Sequence, residues 1–216
     1  MYQQQPKPVF RIVTSAGEAE EHLRVIRQAM ERSTKHSTLS GLSGVIVGLI
    51  ALAGCLLTQT VVRGISTTSL AWKFLFLGVW GTVFLLSLAT DIVLTKRRAA
   101  RFGKTAFSPL GKHLTRAAAP GFLAAMTFSL FYVRNPELMG VYIYGAWMLC
   151  YAVSLLSVGM FSIREVSGLG WAFLVAGFLT LLIPQGWFIG PRAIMAVTFG
   201  GFHIVYGLWM GYKYGW

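Results

Sequence analysis

Residues 39–59 read LSGLSGVIVGLIALAGCLLTQ, a run without a single charge. A helix rises about 1.5 Å per residue, so a segment of this length crosses the roughly 30 Å hydrocarbon layer of a bilayer. The run continues uncharged to Val62. Within it Ser40, Gly44 and Gly48 recur every four residues and give one smooth helix face. Such faces admit a second helix at close range, so these three are candidate helix-packing residues.

The same test applies along the rest of the chain. Between Lys73 and Asp91 lie 17 uncharged residues, and between Arg116 and Arg134 another 17. Between Glu137 and Arg164 lie 26, between Glu165 and Arg192 another 26, and between Arg192 and Lys213 a further 20. About 17 residues suffice for a span. Lipid offers no partner to a backbone amide, so each run must be helical, and the absence of polar–apolar alternation excludes a barrel. The sequence therefore predicts an all-α, polytopic membrane protein with six transmembrane helices. They are expected over residues 39–59, 70–94, 117–133, 138–161, 169–183 and 193–212, with residues 1–38 as a separate cytoplasmic segment. The second span extends back through Ala71 and Trp72 if Lys73 snorkels to the surface. Pro184–Pro191 is expected as an interfacial loop carrying Trp187 and Phe188. An inverted three-plus-three repeat is not visible in the sequence.

Composition leads to the same class. Hydrophobic residues make up 55% of the 216, charged residues 12%, and the mean hydropathy is +0.62. Soluble domains carry about 25% charged residues. A soluble enzyme of ordinary composition, a disordered chain and a disulfide scaffold are excluded. The two cysteines, Cys55 and Cys150, fall inside spans and read as buried free thiols. No nucleophile elbow, Walker loop or HExxH motif is present.

The charges are few but lopsided: 19 Lys plus Arg against 7 Asp plus Glu, a net +12. With six spans both termini share a side. That side collects 15 of the basic residues and the other collects 4, which predicts a cytoplasmic N-terminus and C-terminus. The stretch KRRAARFGKTAFSPLGKHLTR at 96–116 holds seven basic residues and no acid, and reads as a cytoplasmic loop. Lys96, Arg97, Arg98, Arg101 and Lys104 are candidate contacts for anionic lipid or a protein partner, each worth about 1 kcal/mol near an anionic surface. No DNA-reading module accompanies them, so direct nucleic-acid binding is not expected.

Residues 1–38 lack the apolar core of a signal peptide, and the first span is expected to act as an uncleaved anchor. Residues 15–35 have the pattern of an amphipathic helix. Ser15 and Glu18 fit a capping box, Ala19, Leu23, Ile26 and Met30 form one apolar stripe, and Glu20–Arg24 and Glu31–Lys35 are favourable pairs. The stripe either packs on the bundle or the membrane surface, or docks a partner. Leu23, Ile26 and Met30 are its candidate contacts.

Ionisable residues inside a span are functional candidates by default. Asp91 lies near the cytoplasmic end of the second span, within reach of Arg97 and Arg98. His203 lies mid-span in GGFHIVYG, followed by the small-residue pair Gly207 and Gly211, which are candidate packing residues. No cofactor is expected. Haem held by two histidines needs a second deep histidine, and His22, His36 and His113 all lie outside the spans. No cluster of His, Cys, Asp or Glu has metal-ligand spacing. Arg164–Glu165 and Arg134–Glu137 read as local loop ion pairs.

Three stretches carry a family resemblance: MERSTKHSTLSGLSGVIVGLIAL at 30–52, YGAWMLCYAVSLLSVGMFSIREVSGLG at 144–170, and FGGFHIVYGLWMGYKYGW at 199–216. They resemble a family of small six-helix bacterial inner-membrane proteins with an LSGLSG-type first span and an HIVYG-type last span. The residues matching that pattern are Glu31, Arg32, Ser40, Gly41, Ser43, Gly44, Arg164, Glu165, Gly168, His203, Tyr206 and Gly207. The resemblance implies an inner-membrane protein and suggests a neighbouring gene for a small winged-helix regulator. It carries over no activity.

Three functions compete on these residues. The first is a non-enzymatic subunit that docks a cytoplasmic partner or joins a membrane assembly, as monomer or oligomer. The second is a small transporter or channel with a polar site near His203 and Asp91. The third is an intramembrane enzyme or redox subunit built on His203.

Overall fold

A computed structural model describes residues 17, 20–24, 40–61, 63–66, 69–101, 109–140, 142–182 and 190–216. Among these there is no strand, and six helices are long and apolar enough to cross a membrane. They are α1 (Gly41–Val61), α2 (Leu70–Arg101), α3 (Pro109–Arg134), α4 (Tyr142–Gly159), α5 (Arg164–Leu182) and α6 (Arg192–Tyr214). The protein is an all-α polytopic membrane protein.

Residues 1–35 form one unit and residues 36–216 another. In the first, residues 20–24 are helical and Leu23 is 66% exposed. Arg24 pairs with Glu21 at 2.8 Å, not with Glu20, so the contact joins residues three apart. Ile26, Met30 and the rest of the expected stripe lie outside the described residues, as does Lys104.

Helix ends differ from the charge-free runs in a systematic way. The hydrocarbon sets where charge is excluded, but a helix continues into water wherever its residues favour it. LTKRRAAR at 94–101 is made largely of good helix formers, and α2 runs 32 residues to Arg101. Its last turn carries Arg98 and Arg101, which suit the negative end of the helix dipole. α3 opens on Pro109, a residue suited to the first helical turn. The stretch 96–116 is therefore mostly the ends of two helices rather than a loop. α4 is shorter than its uncharged run, because a turn at Pro136–Met139 and the positive φ of Gly140 precede it.

The helices neighbour one another in a regular way. α1 packs mainly on α2 and α6, and α4 mainly on α3 and α5, while the α2–α3 and α5–α6 contacts are slighter. Replacing each helix by the one three places later reproduces this pattern. Three is odd, so α1–α3 and α4–α6 cross in opposite senses; what they share is the order of neighbours.

Between the two groups lies an aromatic core. Phe76 of α2 stacks on Trp72 at 5.0 Å and on Trp147 of α4 at 5.6 Å, with Tyr132 and Tyr144 edge-on to it. Lys73, expected to snorkel, is instead 8% exposed. α2 and α3 turn large apolar residues outward, among them Phe74, Leu85, Leu123 and Leu130. Lipid is the solvent that such a surface fits.

Candidate functional site

Three small residues of α1 and three of α6 bring those helices into backbone contact. A Cβ on Gly44 would lie 2.8 Å from the Cα of Gly207, and one on Gly48 would lie 2.6 Å from the carbonyl oxygen of Gly200. A Cβ on Gly41 would overlap the backbone nitrogen of Gly211. Ser40 is buried beside this seam. Glycine is needed here for close approach, not for an unusual backbone angle.

The seam places His203. α6 is not a uniform α-helix: Ala196–Phe202 is π-helical, between α-helical Pro191–Met195 and His203–Tyr214. Its sequence, AVTFGGF, combines a β-branched pair with two glycines, which weakens the ordinary hydrogen-bond ladder. Thr198 also donates back to the Ile194 carbonyl at 2.8 Å, a bond that bends helices. Short π segments are frequent at functional sites.

His203 follows at once and is 5% exposed. Its Nδ1 lies 2.9 Å from the Phe199 carbonyl oxygen, and its Nε2 lies 2.7 Å from the Tyr151 hydroxyl of α4. A carbonyl only accepts, so Nδ1 carries the hydrogen. In the neutral ring Nε2 then accepts from Tyr151. Phe173 and Phe199 close around the imidazole, with ring centres 5.4 and 6.3 Å from it. Both ring nitrogens are thus engaged, and a metal or haem iron would have to displace Tyr151. Among the described residues no three His, Cys, Asp or Glu side chains stand together.

Asp91 makes a second polar centre. Ser43 of α1 lies 2.9 Å from its Oδ1, and Ser43 Oγ also lies 2.8 Å from the Ser40 carbonyl oxygen. Asp91 is close enough to Tyr151 and Tyr206 to act on both electrostatically. It does not pair with Arg97 or Arg98, the partners that spacing offered. Arg98 is 7% exposed, and its guanidinium donates to the carbonyls of Tyr214 and Gly215 at 2.7 and 2.6 Å. The last carbonyls of a helix have no intrahelical partner, so a buried cation is better placed there than in lipid headgroups. Arg98 is removed from the candidate lipid contacts. Lys96, Arg97 and Arg101 remain exposed.

Glu165 does not pair with its neighbour Arg164. It takes Lys213 of α6 as ion partner and accepts from the Tyr214 hydroxyl at 3.0 Å, which ties the start of α5 to the end of α6. Cys55 and Cys150 are buried free thiols.

Two shallow surface grooves lie elsewhere. One of about 440 Å³ is lined by Trp171, Val175, Leu179 and Phe202, and one of about 200 Å³ by Phe128, Tyr142, Leu149 and Leu181. Both are apolar, and neither His203 nor Asp91 lines them. No protein-family model, curated protein or solved structure matches the chain.

Sequence reasoning found His203 and Asp91 and missed Tyr151 and Ser43 as their partners. One signal was available. Tyrosine prefers the membrane interface, so Tyr151 in the middle of a span implies a buried partner for its hydroxyl.

Proposed function

We propose that the chain is a bacterial inner-membrane protein, with both termini in the cytoplasm, that acts as a non-enzymatic docking or assembly subunit. The observation that carries this is the closure of His203. Tyr151 and the Phe199 carbonyl take both ring nitrogens, and aromatic rings surround the imidazole. Its geometry is that of a hydrogen bond joining helices, the ordinary use of a polar group in a membrane bundle.

The accessible charge supports the same view. Lys96, Arg97, Arg101, Lys112 and Arg116 are exposed on the ends of α2 and α3. They suit anionic headgroups or an acidic partner, and the family resemblance is compatible with that setting. The excess of 15 basic residues over 4 supports the orientation.

The test is cross-linking in intact cells, then purification through a C-terminal tag in mild detergent. A specific partner should be recovered with the full chain and be depleted at least tenfold when residues 1–38 are deleted. Equal recovery from both chains would overturn the docking role.

A second reading, a small transporter, draws on Asp91, a carboxyl within a span with no ion pair among the described residues. Flux into liposomes carrying the purified protein, abolished by Asp91→Asn, would favour it. Flat flux in the parent protein would exclude it.

A further inference from the structure

Asp91 is the only aspartate in the chain. Its Oδ1 lies 2.9 Å from Ser43 Oγ, and the same Oγ lies 2.8 Å from the Ser40 carbonyl oxygen. Both separations are hydrogen-bond lengths. The serine supplies one hydrogen and the carbonyl none. Suppose Ser43 donates to Asp91. Its contact with Ser40 then sets two oxygens against each other with no hydrogen between. Suppose instead that it donates to Ser40. The contact with Asp91 then needs a hydrogen from the carboxyl. Both contacts are satisfied in full only by the chain Asp91 carboxyl to Ser43 hydroxyl to Ser40 carbonyl, with a proton on Asp91.

The surroundings point the same way. No Lys, Arg or His forms an ion pair with Asp91 among the described residues. Among the described residues, Tyr151 of α4 and Tyr206 of α6 are near enough to interact with it electrostatically, and α1 presents Ser43. On its own helix the nearest cations are Lys96, Arg97 and Arg98, of which Arg98 is turned to the end of α6. A carboxyl within a span that makes no ion pair among the described residues holds a proton more readily than a charge.

Thr95 adds an independent observation. Thr58, Thr82, Thr115, Thr127, Thr180 and Thr198 each donate to the carbonyl four residues back. Thr95 does not, and its hydroxyl oxygen is buried without a partner. It stands one turn from Asp91 on the same face and offers that site a second hydroxyl.

We propose that Asp91 is a proton-binding site of the membrane interior, its proton donated to Ser43 at the α1–α2 contact. The site is independent of the docking role. When the proton leaves, Ser43 must turn its hydrogen from the Ser40 carbonyl to the carboxylate, so the α1–α2 bond reverses its direction and the bond to Ser40 at the start of α1 is lost.

Because the chain has one aspartate, carboxyl-labelled [4-13C]aspartate introduced by cell-free synthesis reports on this group alone. The experiment is isotope-edited infrared spectroscopy of the full chain in lipid vesicles at neutral pH. The expected result is an isotope-shifted carboxylic-acid C=O band, which moves to higher frequency in Ser43→Ala as the acceptor is lost. An isotope-shifted carboxylate band alone would overturn the proposal. So would an acid band that Ser43→Ala leaves in place. The parent spectrum decides the first point even if the variant fails to fold.

Discussion

A methyl group on Gly44 has no room, since it would meet the Cα of Gly207 at 2.8 Å, and that neighbour is backbone, which cannot turn aside. Gly44→Ala should therefore destabilise the bundle by about 1–3 kcal/mol, the range for overpacking a close-packed site. Gly81 of α2 is the control. A Cβ there meets nothing within 4 Å, so Gly81→Ala should stabilise by about 0.5–1 kcal/mol through helix propensity. Reversible unfolding in mixed micelles measures both, and equal effects would refute the close approach. The His203–Tyr151 bond is separable in the same assay. A double-mutant cycle with Tyr151→Phe and His203→Phe should give a coupling of about 0.6 kcal/mol, the average for such bonds in membranes. Strict additivity would deny the bond. His203 and Asp91 were legible in the sequence because each interrupts an apolar run. Their partners were not. Ser43 is 48 residues from Asp91 and Tyr151 is 52 from His203, and both pairings depend on how each helix is rotated. α4 and α6 are apolar around much of their circumference, so periodicity does not fix that rotation.

At the scale of the element, α6 is held at its end as well as along its seam. The Arg98 guanidinium closes on the carbonyls of Tyr214 and Gly215, and Lys213 and Tyr214 reach Glu165 of α5. Bonds from a charged donor are worth about 1.5–3 kcal/mol. Arg98→Gln should accordingly speed hydrogen exchange in residues 210–216 by roughly ten- to a hundredfold, since each 1.4 kcal/mol is a factor of ten. Unchanged protection there would show that the guanidinium contributes nothing to the end of the helix. The number of spans and the centre of each were plain from charge-free length, because the bilayer imposes that length directly. Ends were less plain: α2 reaches Arg101 and α5 begins at Arg164, since charge marks the edge of the lipid and not the end of the hydrogen-bond ladder. The π turn at Ala196–Phe202 is a further case, its cause spread over two glycines and a β-branched pair with no fixed motif.

For the whole molecule the question is what fixes its orientation in a bilayer. α1–α3 and α4–α6 share one order of neighbours in opposite senses, and that order alone does not distinguish the two ways of sitting in a bilayer. Charge does distinguish them. Counted along the sequence, the segment before α1, the α2–α3 and α4–α5 junctions and the end of α6 hold fifteen basic residues and the remaining junctions hold four, and Lys or Arg in short connections govern insertion. The balance is predicted to be additive and reversible. With Arg98 spared for its role at α6, replacing the other six cations of 96–116 with Gln leaves nine against four, so a fluorescent reporter after Trp216 should still mature in the cytoplasm. Inserting four Lys into each of the 63–69 and 135–141 connections of that variant reverses the excess. A substantial fraction of the chains should then carry the C-terminus across the membrane, read as loss of fluorescence and gain of an export-dependent phosphatase reporter. If the reversed-charge chain keeps its C-terminus in the cytoplasm in full, orientation is set by something in the helices themselves.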